Sequence, residues 1–151
     1  YAGGMNPEII PEDQVSVQRL SELLTRAFFT HEIDEDGDLL VTVDRARMFV
    51  MLDEERKFIK FLLSYSITGG TEAQRNAYAN RLNRNYIFAS FFTTEDSVAG
   101  EYYLPYEGGV LAYQIIYALR RLHSVVTDVT ILADEDNLLG RDPSEPAGLN
   151  A

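Results

Sequence analysis

Apolar residues along the chain fall into two different periods. Val17, Leu20, Leu24, Ala27 and Phe28 recur at three- and four-residue spacing, which is one stripe of an amphipathic helix. Pro11, Glu12 and Asp13 ahead of them suit a first helical turn, so a helix is predicted from residue 11 to about 29. His31 to Asp38 is polar and acidic, with Gly37 as its turn residue. From residue 39 the period changes. Segments 39–43, 48–52 and 57–67 are rich in β-branched, aromatic and long apolar residues. Asp44-Arg45-Ala46 and Asp53-Glu54-Glu55-Arg56 separate them, and short polar breaks between short apolar runs predict antiparallel hairpins. In the third run Ile59, Phe61, Leu63, Tyr65 and Ile67 share the face assigned to the core. Phe58, Lys60, Leu62, Ser64 and Ser66 share the opposite, mixed face.

Gly69-Gly70 ends that run, and Thr71 with Glu72 behind it reads as a helix N-cap. A helix over 73–84 follows, with Ala73, Ala77, Tyr78 and Leu82 inward. Segments 86–92 and 101–106 read as two further strands joined through 93–97, and Pro105 marks an edge or an end. Gly108-Gly109 opens a last helix to about residue 129, with a wide apolar stripe of Leu111, Ile115, Leu119, Leu122 and Val126. Residues 1–10 read as an extended lead-in, in which Tyr1-Ala2-Gly3-Gly4 ahead of Met5 is set aside as non-native. The acidic, proline- and glycine-bearing residues 134–151 read as a disordered tail. Residues 11–133 are then a single domain in the order helix–three strands–helix–two strands–helix. Strands in consecutive groups favour an antiparallel α+β sheet over a doubly wound parallel one.

Composition narrows the function. Apolar residues at 46% and charged residues at 25% are a globular balance, and no apolar run reaches the ~18 residues of a membrane span. A formal charge of −11 opposes contact with phosphates or anionic lipid, so neither nucleic acid nor membrane is expected as a partner. The chain has no cysteine, which excludes disulfides, thiolate metal sites and a cysteine nucleophile. With no leader sequence legible at the N-terminus, a cytoplasmic location is expected.

Candidate chemistry is sparse. His31 and His123 are the only histidines. Neither shows the partner spacing of a general base or a zinc site, so both are read as structural. Asp34, Asp36 and Asp38 alternate around Gly37. Counted from Asp34 the glycine is fourth, where a calcium loop of the EF-hand type needs it sixth, and a solvated turn is the better reading. Gly69-Gly70-Thr71 before a helix has the form of a weak anion site but lacks the lysine of a phosphate-binding loop. No cofactor, metal or catalytic residue is assigned, and an enzyme is not expected.

The aromatic residues carry more information. Phe88 and Phe92 oppose Ile87, Ala89 and Phe91 in the fourth strand, so both its faces are apolar. Two readings stay open, a helix on each face of the sheet or one face reserved for a partner or a second copy. The residues proposed for such a surface are Phe58, Leu62, Phe88, Phe92 and Tyr103. A ligand-binding or catalytic pocket and a structural homo-oligomer subunit remain as alternatives.

Asn83-Arg84-Asn85-Tyr86-Ile87-Phe88-Ala89 at the helix-to-strand junction, the hairpin around 98–106 and Glu107-Gly108-Gly109-Val110 at the last helix together resemble the YbjN family of bacterial sensory transduction regulators. The resemblance covers about residues 11 to 133. It implies a fold like that of type III secretion chaperones, protein binding rather than catalysis, and homodimers. It does not imply a secretion role.

Overall fold

The computed structural model describes residues 7–142 and Ser144. Residues 1–6, 143 and 145–151, which hold most of the lead-in and the end of the tail, lie outside the described residues.

The chain begins with a two-residue strand, β1 (Ile9–Ile10). Pro11 then opens a 3-10 turn, Glu12–Gln14. Helix α1 (Val17–Arg26) starts later than the apolar stripe suggests, because Val15 is extended and Ser16 is the true cap. The Ser16 hydroxyl accepts the Arg19 N–H at 3.0 Å and satisfies one of the orphan donors of the first turn. Glu8 ties β1 to this helix through Arg19 and Arg26, at 2.9 and 3.0 Å. Hydrogen bonding from Arg26 holds its carboxyl below the usual range, with Arg19 helping.

Five strands follow the chain into one sheet: β2 (His31–Ile33), β3 (Leu39–Val43), β4 (Ala46–Asp53) and β5 (Phe58–Ser66), then β6 (Ser90–Thr93) after a helix, and β7 (Ser97–Pro105) completes it as a sixth. The order across the sheet is β2-β3-β4-β5-β7-β6, and every neighbouring pair is antiparallel. The expected α+β antiparallel class is therefore observed. Asp44 and Arg45 both have positive φ, 44° and 74°, the backbone of a two-residue turn whose twist matches its strands. β2 was read as loop. It is three residues long and polar, and only its pairing with β3 makes it a strand.

Helix α2 (Glu72–Asn85) begins at Thr71 in a full capping box with Gln74. The predicted strand over 86–92 shrinks to β6, because residues 86–89 leave the extended ladder. Asn83 explains where pairing begins. Its amide donates to the Phe91 carbonyl and accepts the Phe91 N–H, both at 2.7 Å. One side chain thus satisfies the outer edge of β6 as a neighbouring strand would. A second two-residue strand, β8 (Val110–Leu111), pairs with β1 and leads into helix α3 (Ala112–Leu132).

All three helices pack on the same side of the sheet. Ile59, Phe61 and Leu63 of β5, Val41 of β3, Val50 of β4 and Leu104 of β7 share one buried cluster with Leu20 and Leu24 of α1, Tyr78 and Leu82 of α2, and Leu119, Leu122 and Val126 of α3. The inward face assigned to β5 is thus the observed one. Tyr65 shares a 2.6 Å hydrogen bond with Thr127, and the Tyr78 hydroxyl donates to the Thr130 carbonyl. Burial pushes both phenols above their ordinary pKa, Tyr78 the further.

Residues 134–142 are packed rather than loose. Leu138 is buried in the core cluster, and its carbonyl accepts the Thr68 N–H at 2.8 Å. The Asp134 carboxylate accepts the N–H groups of Leu138 and Leu139. Two leucines behind a run of acids are a poor sequence signal for such docking.

α3 comes close to the sheet at Gly100 of β7. A Cβ built there would lie 2.5 Å from Val126 Cγ2 and 3.1 Å from the Phe91 ring, so only glycine fits. Gly100→Ala is predicted to destabilise the fold by about 1–3 kcal/mol, the usual range for overpacking, measured by denaturant unfolding. An unchanged midpoint would contradict the contact.

Candidate functional site

The sheet face away from the helices is open among the described residues. Because side chains alternate along a strand, the register defines its members. Leu40 of β3 pairs with Phe49 of β4, and Phe49 with Leu62 of β5. Met51 pairs with Lys60, Lys60 with Tyr103, and Asp53 with Phe58. Leu40, Phe49, Met51, Phe58, Leu62 and Tyr103 are therefore neighbours on one surface. None of them is a member of the core cluster or packs against it. Of the two readings left open, a helix on each face is not what the described residues build.

The charges on this face are matched within it. Lys60 Nζ lies 3.3 Å from the Glu101 carboxylate and 5.6 Å from the Tyr103 ring centroid. Burial works against the Lys60 charge, but Glu101 and the Tyr103 hydroxyl outweigh it and raise the ammonium's pKa. Arg47 pairs with Glu32, and Arg56 with Asp53 at 3.8 Å. Phe58 packs edge-on against Tyr103 with centroids 5.9 Å apart.

The structure brings together four of the five residues singled out from sequence. Phe58, Leu62, Tyr103 and, toward the β6 edge, Phe92 lie on the open face, with Phe92 40% and Tyr103 43% exposed. Phe88 does not join them. It sits outside β6 on the helix side, stacked on Tyr102 at 4.8 Å under Arg121. The alternation that linked Phe88 to Phe92 fails because the strand starts only at Ser90. Leu40, Phe49 and Met51 were not singled out, although their alternation with buried Leu39, Met48 and Val50 carries the signal.

The other candidates resolve into structure. The His31 ring is held at both nitrogens, by the Ser21 hydroxyl at 2.7 Å and the Phe29 carbonyl at 3.0 Å, which a neutral ring protonated at Nδ1 satisfies. His123 is a buried residue of α3. Its Nδ1 is 3.9 Å from the Asp44 carboxylate and its Nε2 has no partner. It looks onto a cleft of about 510 Å³ beside Phe28, Phe29 and Arg120. In the acidic turn, Asp34 spends one carboxylate oxygen on the N–H groups of Asp36 and Asp38, both at 2.9 Å. Burial and the neighbouring Asp34 and Asp36 raise the Asp38 pKa. The Gly69-Gly70 loop lines a depression with Arg75, Glu95 and Asp96. Arg75 there donates to the Gly70 carbonyl, and two acids on the wall oppose an anion. Among the described residues no group of three His, Asp or Glu is placed to hold a metal ion, and no helix is long and apolar enough to cross a membrane.

Residues 16–129 match the model of the YbjN family, described as "Putative bacterial sensory transduction regulator". The chain belongs to the YbjN family. In fold it is similar to the crystal structure of YbjN from E. coli, titled a "putative transcription regulator". The TM-score is 0.69 at 13% identity, over 82% of this chain and 95% of that one. No curated protein matches the sequence. The segment matching the YbjN model runs from the cap of α1 to the last turn of α3 and so contains the whole six-stranded sheet. β1 and residues 134–142 lie outside it.

The Lys60–Glu101 pair sits amid the apolar side chains of the open face. Lys60→Ala is predicted to cost about 1–2 kcal/mol, because it strands a half-buried carboxylate. The double change Lys60→Met with Glu101→Leu is predicted to be neutral or stabilising. Chemical denaturation of wild type and both variants checks this, and a double change that costs as much as Lys60→Ala would rule out the coupling.

Proposed function

We propose that this regulator domain acts by non-enzymatic protein binding and that the open sheet face is its docking surface, covered by a second copy of the chain. The observation that carries this reading is the one-sided packing of the sheet. Leu40, Phe49, Met51, Phe58, Leu62 and Tyr103 form an apolar surface with no layer over it among the described residues. A contiguous apolar patch of this kind marks an interaction site in soluble proteins.

Charge supports a copy of the chain as occupant. The protein carries −11 overall, yet the Lys60, Arg47 and Arg56 cations of this face each have a carboxylate beside them. A basic partner would need unpaired carboxylates here. A surface that is neutral within itself can instead meet its own image about a two-fold axis without repulsion. Six strands at ~4.8 Å spacing and up to nine residues long present roughly 600 Å², so a pair would bury about 1,200 Å², the lower end for specific interfaces. The YbjN description as a sensory transduction regulator fits a binding role, and the absence of cysteine fits a cytoplasmic one.

Sedimentation velocity tests the proposal. The wild-type chain is expected to dimerise at micromolar concentrations, and Leu62→Asp or Phe49→Asp to sediment as monomers with unchanged circular dichroism. A wild-type monomer across the whole accessible range would overturn it.

A further inference from the structure

The helix side carries a different chemistry. Tyr113, Tyr117, Arg120, Arg121 and Ser124 are exposed along the first four turns of α3, and Asp128 is exposed one turn further on. The two arginines are consecutive and lean to opposite flanks of the helix. Arg120 lies over the Phe29 ring, 5.5 Å from its centroid, and Arg121 over Phe88 at 5.9 Å. Phe29 follows α1, and Phe88 follows α2.

Six cations of the fold are paired off. Arg19, Arg26, Arg47, Arg56, Lys60 and Arg81 each lie against a carboxylate. Among the described residues Arg45, Lys57, Arg75, Arg84, Arg120 and Arg121 form no ion pair, and of these Arg120 and Arg121 share α3 while Arg84 stands at the end of α2. Asp44 in the β3–β4 turn and Asp128 further along α3 are carboxylates of these elements, and neither pairs with the three arginines. A guanidinium lying over an aromatic ring keeps its N–H groups available, and their planar fork binds carboxylates two bonds at a time.

Beside each stacked ring stands an apolar residue in full solvent. Phe28 precedes Phe29 and is 96% exposed. Ile87 precedes Phe88 and is 99% exposed. Phe28 also holds φ at 65°. It closes α1 by donating its N–H to the Thr25 carbonyl at 3.1 Å, while Phe29 donates to Leu24 at 2.9 Å. That left-handed closing position favours glycine. A phenylalanine there strains the backbone and exposes a ring, with no contact inside the fold to offset either.

We infer that the helix-side surface around Arg120 and Arg121 docks an acidic peptide segment of a partner protein, its carboxylates on the guanidinium edges and its apolar side chains against Phe28 and Ile87. The inference rests on the protein-binding reading but uses the face opposite the sheet surface. Charge selects the partner. A basic segment would leave the three arginines unmatched. A long polyanion such as nucleic acid would meet the field of the −11 chain beyond the contact. A short acidic stretch stays within about one Debye length, ~8 Å, of the arginines.

The test uses the full chain and a fluorescent peptide alternating glutamate with leucine and phenylalanine, read by anisotropy and by amide chemical shifts. A lysine-for-glutamate peptide and a single-stranded DNA oligomer serve as comparisons. The acidic peptide is expected to shift amides of α3 and of the segments after α1 and α2, and to lose at least tenfold in affinity with Arg120→Gln plus Arg121→Gln. Phe28→Gly is expected to weaken binding while leaving thermal stability equal or higher, which a structural role for the ring would reverse. No binding, equal binding of the lysine peptide, or preference for DNA through the same arginines would overturn the inference. So would a change of oligomeric state in the arginine variant, which would make the occupant a second copy. Shifts confined to β4, β5 and β7 would also overturn it while leaving the sheet-face proposal standing. Loss of dimerisation in wild type with α3 binding intact would do the reverse.

Discussion

The contact between α3 and β7 at Gly100 sets the architecture. With no side chain on Gly100, Val126 comes down onto the backbone of the sheet, and the apolar stripe of α3 seals the inward residues of β3, β5 and β7 in one cluster. α1 and α2 complete that layer from its two flanks. Once the three helices share a side, nothing of the described chain is left to cover the other. The open surface is thus a consequence of where the core formed, and its apolar residues are the part that folding alone does not explain. A chain that needed only solubility would carry polar side chains at Phe49, Met51 and Leu62.

The two surfaces follow different physical rules. On the sheet face each cation has a carboxylate neighbour, so the surface is neutral within itself and suits a self-complementary contact. On the helix face the arginines lie on aromatic rings and keep their donors free, which suits an anionic partner. Their separation across the sheet lets one change without the other.

Much of this was legible in the sequence where periodicity was strong. The alternation of Ile59, Phe61 and Leu63 against Phe58, Lys60 and Leu62 identified both faces of β5, and the stripes of α1 and α3 placed those helices. The short elements were not legible. β1 and β8 have two residues each and exist only because they pair, and β2 is polar. Phe88 was misplaced because one break in a strand voids every alternation carried across it. Asn83 lies in the last turn of α2, where nothing local shows that its amide finishes the sheet edge. The stacked arginines had no local signature, since Phe29 and Phe88 are brought to α3 only by the fold.

The most direct measurement concerns the methyl group of Met51, which lies on the open face, with the methyl of buried Met48 as an internal reference. Relaxation enhancement of both by a soluble gadolinium chelate can be followed as protein concentration rises. One-sided packing with a copy over the sheet predicts that Met51 is strongly relaxed in dilute protein and becomes as protected as Met48 once the chains pair. A Met51 methyl that stays accessible at every concentration would show that the face is not covered by a second copy.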